Sequence, residues 1–142
     1  MFCDEYAFLL DTIFDMINVT AAIIERGGKF LLAKRSVTGS LPNKWEFPGG
    51  KVEVGETPEE CLTRELYEEF DIIVTVGAFF AESVYTYGQK TIRLLAFKVR
   101  YDEEIKTLNV HDDLRWVSAK ALLDYDLAPA DVSIARSLAK VT

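Results

Sequence analysis

Cysteine, proline and histidine are scarce in this chain: two, four and one among 142 residues. Cys3 and Cys61 lack metal-ligand spacing and cannot build a disulfide framework, which suits a reducing, cytoplasmic setting. The lone histidine, His111, reads as a surface or packing residue before a catalytic one. Basic residues are outnumbered, 16 against 23 acids, for a net charge of −7, and this disfavours long nucleic acid as a partner. No apolar run is long enough for a membrane span, and no basic stretch leads into an apolar run with a small-residue cleavage site. Internal repeats, low-complexity stretches and linkers are missing too. What remains is 49% hydrophobic and 27% charged, ordinary for one globular domain with a substantial core.

The most informative stretch runs from Gly50 to Ile72. Thr57 suits an N-cap and Pro58 a first helical turn, so a helix begins there. Leu62, Leu66 and Phe70 recur every four residues and form an apolar stripe. Glu65, Glu68 and Glu69 fall on an adjoining arc of roughly 100°. Like charges at these spacings cost a helix a few tenths of a kcal/mol per pair, roughly. A bound divalent cation would reverse the sign, since magnesium uses a few carboxylates together with substrate phosphates. A solvated acidic face is the competing reading. Arg64, one turn before Glu68, can orient its carboxylate, and Gly49 and Gly50 suit a close backbone approach.

Gly50, Glu56 six residues on, and the run Arg64-Glu65-Leu66-Tyr67-Glu68-Glu69 together closely resemble the Nudix box. Asp71 stands where that family usually has glycine. Asp tolerates the left-handed conformation at a helix end better than most residues, so the departure should cost some stability and spare the chemistry. The resemblance covers roughly residues 18–140 and implies an α/β/α sandwich with a mixed sheet, domain 18–142 following an N-terminal helical extension, 1–17. It implies hydrolysis of a nucleotide anhydride with Mg2+, or Mn2+ in its place. Glu65, Glu68, Glu69 and the Gly50 carbonyl would hold the metal, Glu56 would act as a structural or outer-sphere acid and Arg64 as the orienting cation. The usual loop acid is replaced by Val110, which leaves Asp112, Asp113 or a helix glutamate as the base.

Along the chain, residues 4–17 read as a helix, packed on the domain or at a contact between copies of a monomer or homodimer. Val19–Glu25 and Phe30–Arg35 read as strands around an Arg26-Gly27-Gly28-Lys29 turn, and Lys51–Val54 as a short strand. Ile72–Val74, Phe79–Tyr85, Thr91–Tyr101 and Leu114–Val117 supply further strands, with residues 102–113 a polar loop. Helices close the chain at 119–123, capped by Ser118, and at 130–139.

Arg35, at a strand end, suits a phosphate contact, with Lys44 and Lys51 weaker choices. Residues 125–131 resemble the base-recognition segment of MutT-like triphosphatases, especially the CTP pyrophosphohydrolase group. There Asp131 would accept from an exocyclic amine such as cytosine's, or would merely cap the last helix. Phe80 and Tyr85 are candidates to stack on the base. The expected reaction is nucleoside triphosphate to monophosphate and pyrophosphate, on CTP, dCTP or a modified pyrimidine nucleotide. Oxidised purine nucleotides are the alternative, and a non-catalytic nucleotide sensor is the alternative of another class.

Overall fold

The computed structural model describes residues 15–142. Its elements are β1 (Asp15–Arg26), β2 (Lys29–Arg35), β3 (Trp45–Glu46), α1 (Pro58–Phe70), β4 (Thr75–Tyr87), β5 (Lys90–Arg100), β6 (His111–Ser118), a 3-10 turn (Ala119–Asp124) and α2 (Pro129–Val141). The strands form a mixed sheet of order β3-β2-β1-β5-β4, with β6 also paired to β2.

The central pairing is parallel. β1 and β5 run together from Asp15 beside Lys90 to Ile24 beside Val99. Parallel strands in mid-sheet are buried on both faces, and these read accordingly as near-continuous apolar runs. Alternate residues serve two cores. Ala21, Ile23, Phe30, Leu32, Leu94 and Ala96 face one core, where Ile134, Ala135 and Leu138 of α2 pack. Ala22, Ile24, Leu31, Ala33, Phe97 and Val99 face the other, closed by Leu62, Leu66 and Phe70 of α1. The result is the α/β/α sandwich expected from the sequence.

β1 and β2 pair only at the hairpin, through Glu25 with Phe30 and Arg26 with Lys29. Beyond that point β1 takes a different partner. The Thr20 N–H donates to the Gly50 carbonyl at 2.8 Å and the Ala22 N–H to the Pro48 carbonyl at 2.7 Å. Residues 47–51 are thereby wedged against the middle of the sheet. The approach is so close that a Cβ on Gly49 would run into the Thr20 carbonyl, and only glycine fits.

Several expected boundaries moved. Residues 15–17 belong to β1 and not to a helix, because they pair with Lys90–Ile92; the remainder of the expected N-terminal helix lies outside the described residues. Of Lys51–Val54 only Lys51 bridges, to Val19, since the chain turns at Val54 and Gly55. Ile72 and Val74 are apolar because they pack beneath α1, unpaired; the strand starts at Thr75. His111 leaves the expected loop and opens β6 opposite Arg35. Ser118 makes no side-chain cap, and the turn after it is 3-10.

Helix α1 starts with a full capping box. The Thr57 hydroxyl accepts from the Glu60 N–H at 3.1 Å, and the Glu60 carboxylate accepts from the Thr57 N–H at 2.9 Å. It ends at Asp71 in the left-handed region (φ 56, ψ 36), where the sequence departs from the usual glycine. Thr57→Ala should lower unfolding free energy by about 1 kcal/mol. Urea unfolding checks this; a change below a few tenths would show the cap to be dispensable.

Candidate active site

The wedge 47–51, the start of α2 and the glutamate face of α1 enclose a cleft of about 390 Å³. Gly49, Gly50, Glu65 and Glu69 line one end, Ala130, Asp131 and Tyr87 the other, and Arg35 and Glu46 lie between.

At the first end, one guanidinium organises the acids. Arg64 Nε and Nη2 grip both oxygens of Glu56 at 2.7 and 2.9 Å. Its Nη1 donates to Glu65 Oε1 at 2.7 Å and to Glu68 Oε1 at 2.9 Å. Nη2 also reaches the Lys51 carbonyl at 3.1 Å, tying the helix to the wedge. The Arg64 guanidinium, aided by the Glu53 N–H, holds the Glu56 carboxyl down at about 2. Glu69 has no such partner. Burial first, then the charges of Glu65 and Glu46, push its carboxyl up to about 9. Its Oε1 is buried without a hydrogen bond.

Among the described residues no three acidic, histidine or cysteine side chains converge closely enough to hold an ion. The cause is Arg64, which draws Glu65 and Glu68 to itself. The groups present still suit a hard cation. Glu65 lies so close to Gly50 that a Cβ there would collide with its carboxylate, and the orphaned oxygen of Glu69 is a buried acceptor lacking a donor. The Gly50 carbonyl fits the role expected of it poorly. It already accepts from the Thr20 N–H at 2.8 Å and hydroxyl at 3.2 Å, with the Cys61 thiol at 3.4 Å. Two lone pairs are thus engaged. The neighbouring Gly49 also lines the cleft, and its carbonyl receives no hydrogen bond among the described residues.

At the other end Asp131 is buried, and its Oδ2 accepts from the Phe47 N–H at 2.9 Å. Burial, and then the charge of Glu46, hold its carboxyl well above the usual range. Desolvation thus favours the neutral form of Asp131 over the ionised acceptor expected from the sequence. Arg35 donates to Glu46 Oε1 at 2.7 Å and to Ser40. Glu46 Oε2 in turn meets His111 Nε2 at 2.9 Å, and the buried His111 ring stacks on Phe70. Lys51 lines the cleft, whereas Lys44 is taken by Asp126 at 2.7 Å.

The two expected stacking residues are not brought to the cleft. Bulges between Val76 and Ala81 shift the register of β4, and Phe80 packs instead beside Ile23, Phe30 and Leu138. Tyr85 is 41% exposed at the rim, its ring 4.7 Å from Tyr87. Tyr87 itself forms the wall. Read as a turn residue, it is the last residue of β4, one strand period beyond Tyr85. Val110 lines the cleft, while Asp112 is exposed and Asp113 pairs with Arg115 at 2.7 Å, so neither replaces the loop acid in this arrangement. Glu46 was missed, since Trp45–Gly50 carries no periodic signal, while Gly49 was read only as suiting a close backbone approach.

A cleft with stacked glutamates at one end and a polar, aromatic-walled recess at the other defines a phosphoanhydride-hydrolase class of site on an α/β/α sandwich. The chain belongs to the Nudix hydrolase family, its residues 15–138 matching the NUDIX domain. It is 42% identical over 119 residues to the CTP pyrophosphohydrolase of Escherichia coli K12, covering 84% of this chain and 88% of that protein. It is 29% identical over 126 residues to the 8-oxo-dGTP diphosphatase of the same strain, covering 88% and 98%. The solution structure of the E. coli ORF135 protein superposes with a TM-score of 0.81 at 39% identity, covering 93% and 94%.

A raised Glu69 makes stability depend on pH. Its folded value lies above the ordinary 4.5, so its contribution is complete below about 4.5 and is lost as pH rises toward about 9. Metal-free protein should melt at progressively lower temperature from pH 6 to 9. In Glu69→Gln the slope should be shallower, with Asp131 supplying the remainder. An unchanged slope in that variant would place the titration elsewhere.

Proposed function

We propose that the protein is a divalent-metal-dependent pyrophosphohydrolase that converts a cytosine nucleoside triphosphate to its monophosphate and pyrophosphate. The observation that carries this reading is the placement of a buried carboxyl, Asp131, in the same cleft as Glu65 and Glu69. Similarity to a CTP pyrophosphohydrolase over most of both chains supports it.

The residues divide the work. Glu65, Glu68 and Glu69, with the Gly49 carbonyl, would hold the cation, most simply Mg2+. When bound, it would neutralise phosphate oxygens and acidify a water. Arg64 cannot serve the substrate directly, because Glu56 holds it from both oxygens; its task is to place Glu65 and Glu68. Arg35 already lines the cleft and can exchange Ser40 for a phosphate oxygen. With Val110 in place of a loop acid, the base is sought among the helix glutamates. Glu69 is a candidate only in its ionised form, which a bound cation would favour against the burial that holds its carboxyl up at about 9.

At the base, a protonated Asp131 donates from one oxygen and accepts on the other, which Phe47 N–H fixes in place. Cytosine presents a matching pair, the N3 acceptor beside the N4 donor. Guanine presents two acceptors on its N7/O6 edge, which does not match, and an acceptor beside a donor on its O6/N1 edge, which does, so discrimination against guanine falls to the shape of the recess. Oxidation at C8 turns N7 into a donor, and the N7/O6 edge then matches as well. Oxidised guanine nucleotides are accordingly the second reading, favoured by the same protonated carboxyl.

Two measurements test this. Glu68→Gln should cut Mg2+-dependent pyrophosphate release from CTP by on the order of a hundredfold or more, while melting near wild type. Turnover equal to wild type would remove Glu68 from the machinery; nucleotide binding without turnover in wild type would favour a sensor. Asparagine imitates a protonated aspartate, so Asp131→Asn should keep kcat/KM for CTP within about threefold of wild type at pH 7, while Asp131→Ala loses roughly ten- to a hundredfold. The wild-type to Asn ratio should fall as pH rises, because only the carboxyl can ionise. A tenfold loss in Asn at pH 7 would mean that the native group is ionised. An equal loss for every base in Asp131→Ala would show that Asp131 only braces Phe47.

A further inference from the structure

Helix α1 ends just where its acids matter most. The ladder closes with the Asp71 N–H on the Tyr67 carbonyl at 3.0 Å, and the chain then leaves in the left-handed conformation. The carbonyls of Glu68 and Glu69 belong to the last turn, whose acceptors a helix cannot satisfy by itself. One residue from forty positions downstream satisfies both. Asn109 donates its backbone N–H to the Glu69 carbonyl at 2.9 Å and its Nδ2 to the Glu68 carbonyl at 2.7 Å. The far end of the same segment is fastened by Arg26. Its guanidinium donates to the carbonyls of Tyr101 and Glu103 at 2.6 and 2.8 Å and lies 4.7 Å over the Trp116 ring. Side-chain contacts do not do this job for Glu69, whose buried Oε1 has no partner.

We propose that Asn109 is a positioning residue: it locks the last turn of α1 so that Glu68 and Glu69 present their carboxylates in a fixed relation for a divalent cation. This rests on the metal-dependent reading above. Asn109 touches neither ion nor substrate, and it acts through the backbone of the two residues that do. Its amide also sits one residue before Val110, where the cleft lacks an acid, so the segment contributes geometry in place of charge.

The test uses nucleotide-free protein titrated with Mn2+, free ion being followed by its paramagnetic resonance signal. In Asn109→Ala the dissociation constant should rise roughly three- to tenfold, the effect of losing one ordered hydrogen bond. Amide exchange at Asp71 should quicken in the metal-free state. Asn109→Asp keeps size and backbone bond but removes the amide donor; it should weaken Mn2+ as much and keeps the test decisive should alanine disturb the loop. In turnover, the Mg2+ concentration for half-activation should rise while KM for nucleotide at saturating Mg2+ stays within twofold, a split that general destabilisation would not produce. Wild-type Mn2+ affinity in both variants would overturn the proposal. Failure of wild-type protein to bind Mn2+ would instead overturn the reading on which it rests.

Discussion

Too many carboxylates surround too few cations at the centre of this molecule, and much else answers to that imbalance. Glu53, Glu56, Glu65 and Glu68 all lie within ion-pair distance of Arg64. Glu69 is left over, buried and short of a donor. In water such a group would ionise freely; here ionisation is resisted by desolvation and by two neighbouring charges. A fold that keeps such a group stores a preference for a positive visitor. A cation entering there meets ligands whose mutual repulsion it relieves, so part of the cost of assembling them is recovered only on binding. The same logic repeats at the base end, where burial, and then the charge of Glu46, raise the Asp131 carboxyl well above its usual range. Glu46 contributes to both shifts, and its own charge is balanced by Arg35. The two ends of the cleft are thus electrostatically joined through one side chain.

Strand β1 makes that arrangement possible. Small residues, Thr20, Ala21 and Ala22, let a second backbone approach where a larger side chain would hold it off. The strand binds β5 along one edge and, on the other, gives up β2 for the Pro48–Gly50 segment. Two glycines in a row are crowded in different ways, and only the first is held by backbone. Gly49 lacks room against the Thr20 carbonyl, and Gly50 lacks room against the Glu65 carboxylate. Cys61 sits beneath this junction, buried against Thr20 and the Gly50 and Lys51 carbonyls. Burial pushes its thiol up to about 11, so it serves as an inert filler.

Legibility in the sequence followed the range of the interactions. Helix α1 was readable to the residue at its start, because the cap, proline and apolar stripe are all local. The alternation of β1 and β5 between two cores was readable as apolar runs. The acid arc was readable because helical geometry fixes which residues share a face. The hydrogen bonds that engage the Gly50 carbonyl were not legible because their donor, Thr20, lies thirty residues away. Phe80 was misplaced because a bulge changes which face a strand residue occupies, and composition carries no sign of a bulge. Asp131 was located by resemblance, but its protonation depends on burial by segments distant in the chain. His111 shows the same division. Its packing character was legible, while its bond to Glu46 across 65 positions was not.

Burial holds both carboxyls of the cleft, Asp131 and Glu69, above their ordinary range, so each end responds to pH. Raising pH frees Glu69 to ionise and so favours the metal end. It also threatens the proton on Asp131, which the base end needs. Asp131 is buried and accepts the Phe47 N–H, and both it and Glu69 line the cleft. A cation stabilises the ionised form of Glu69 directly and acts on Asp131 only across the length of the cleft. Loading the metal end can therefore remove the proton from Glu69 without removing it from Asp131. Burial thus favours the neutral form of Asp131, while a cation would favour the ionised form of Glu69.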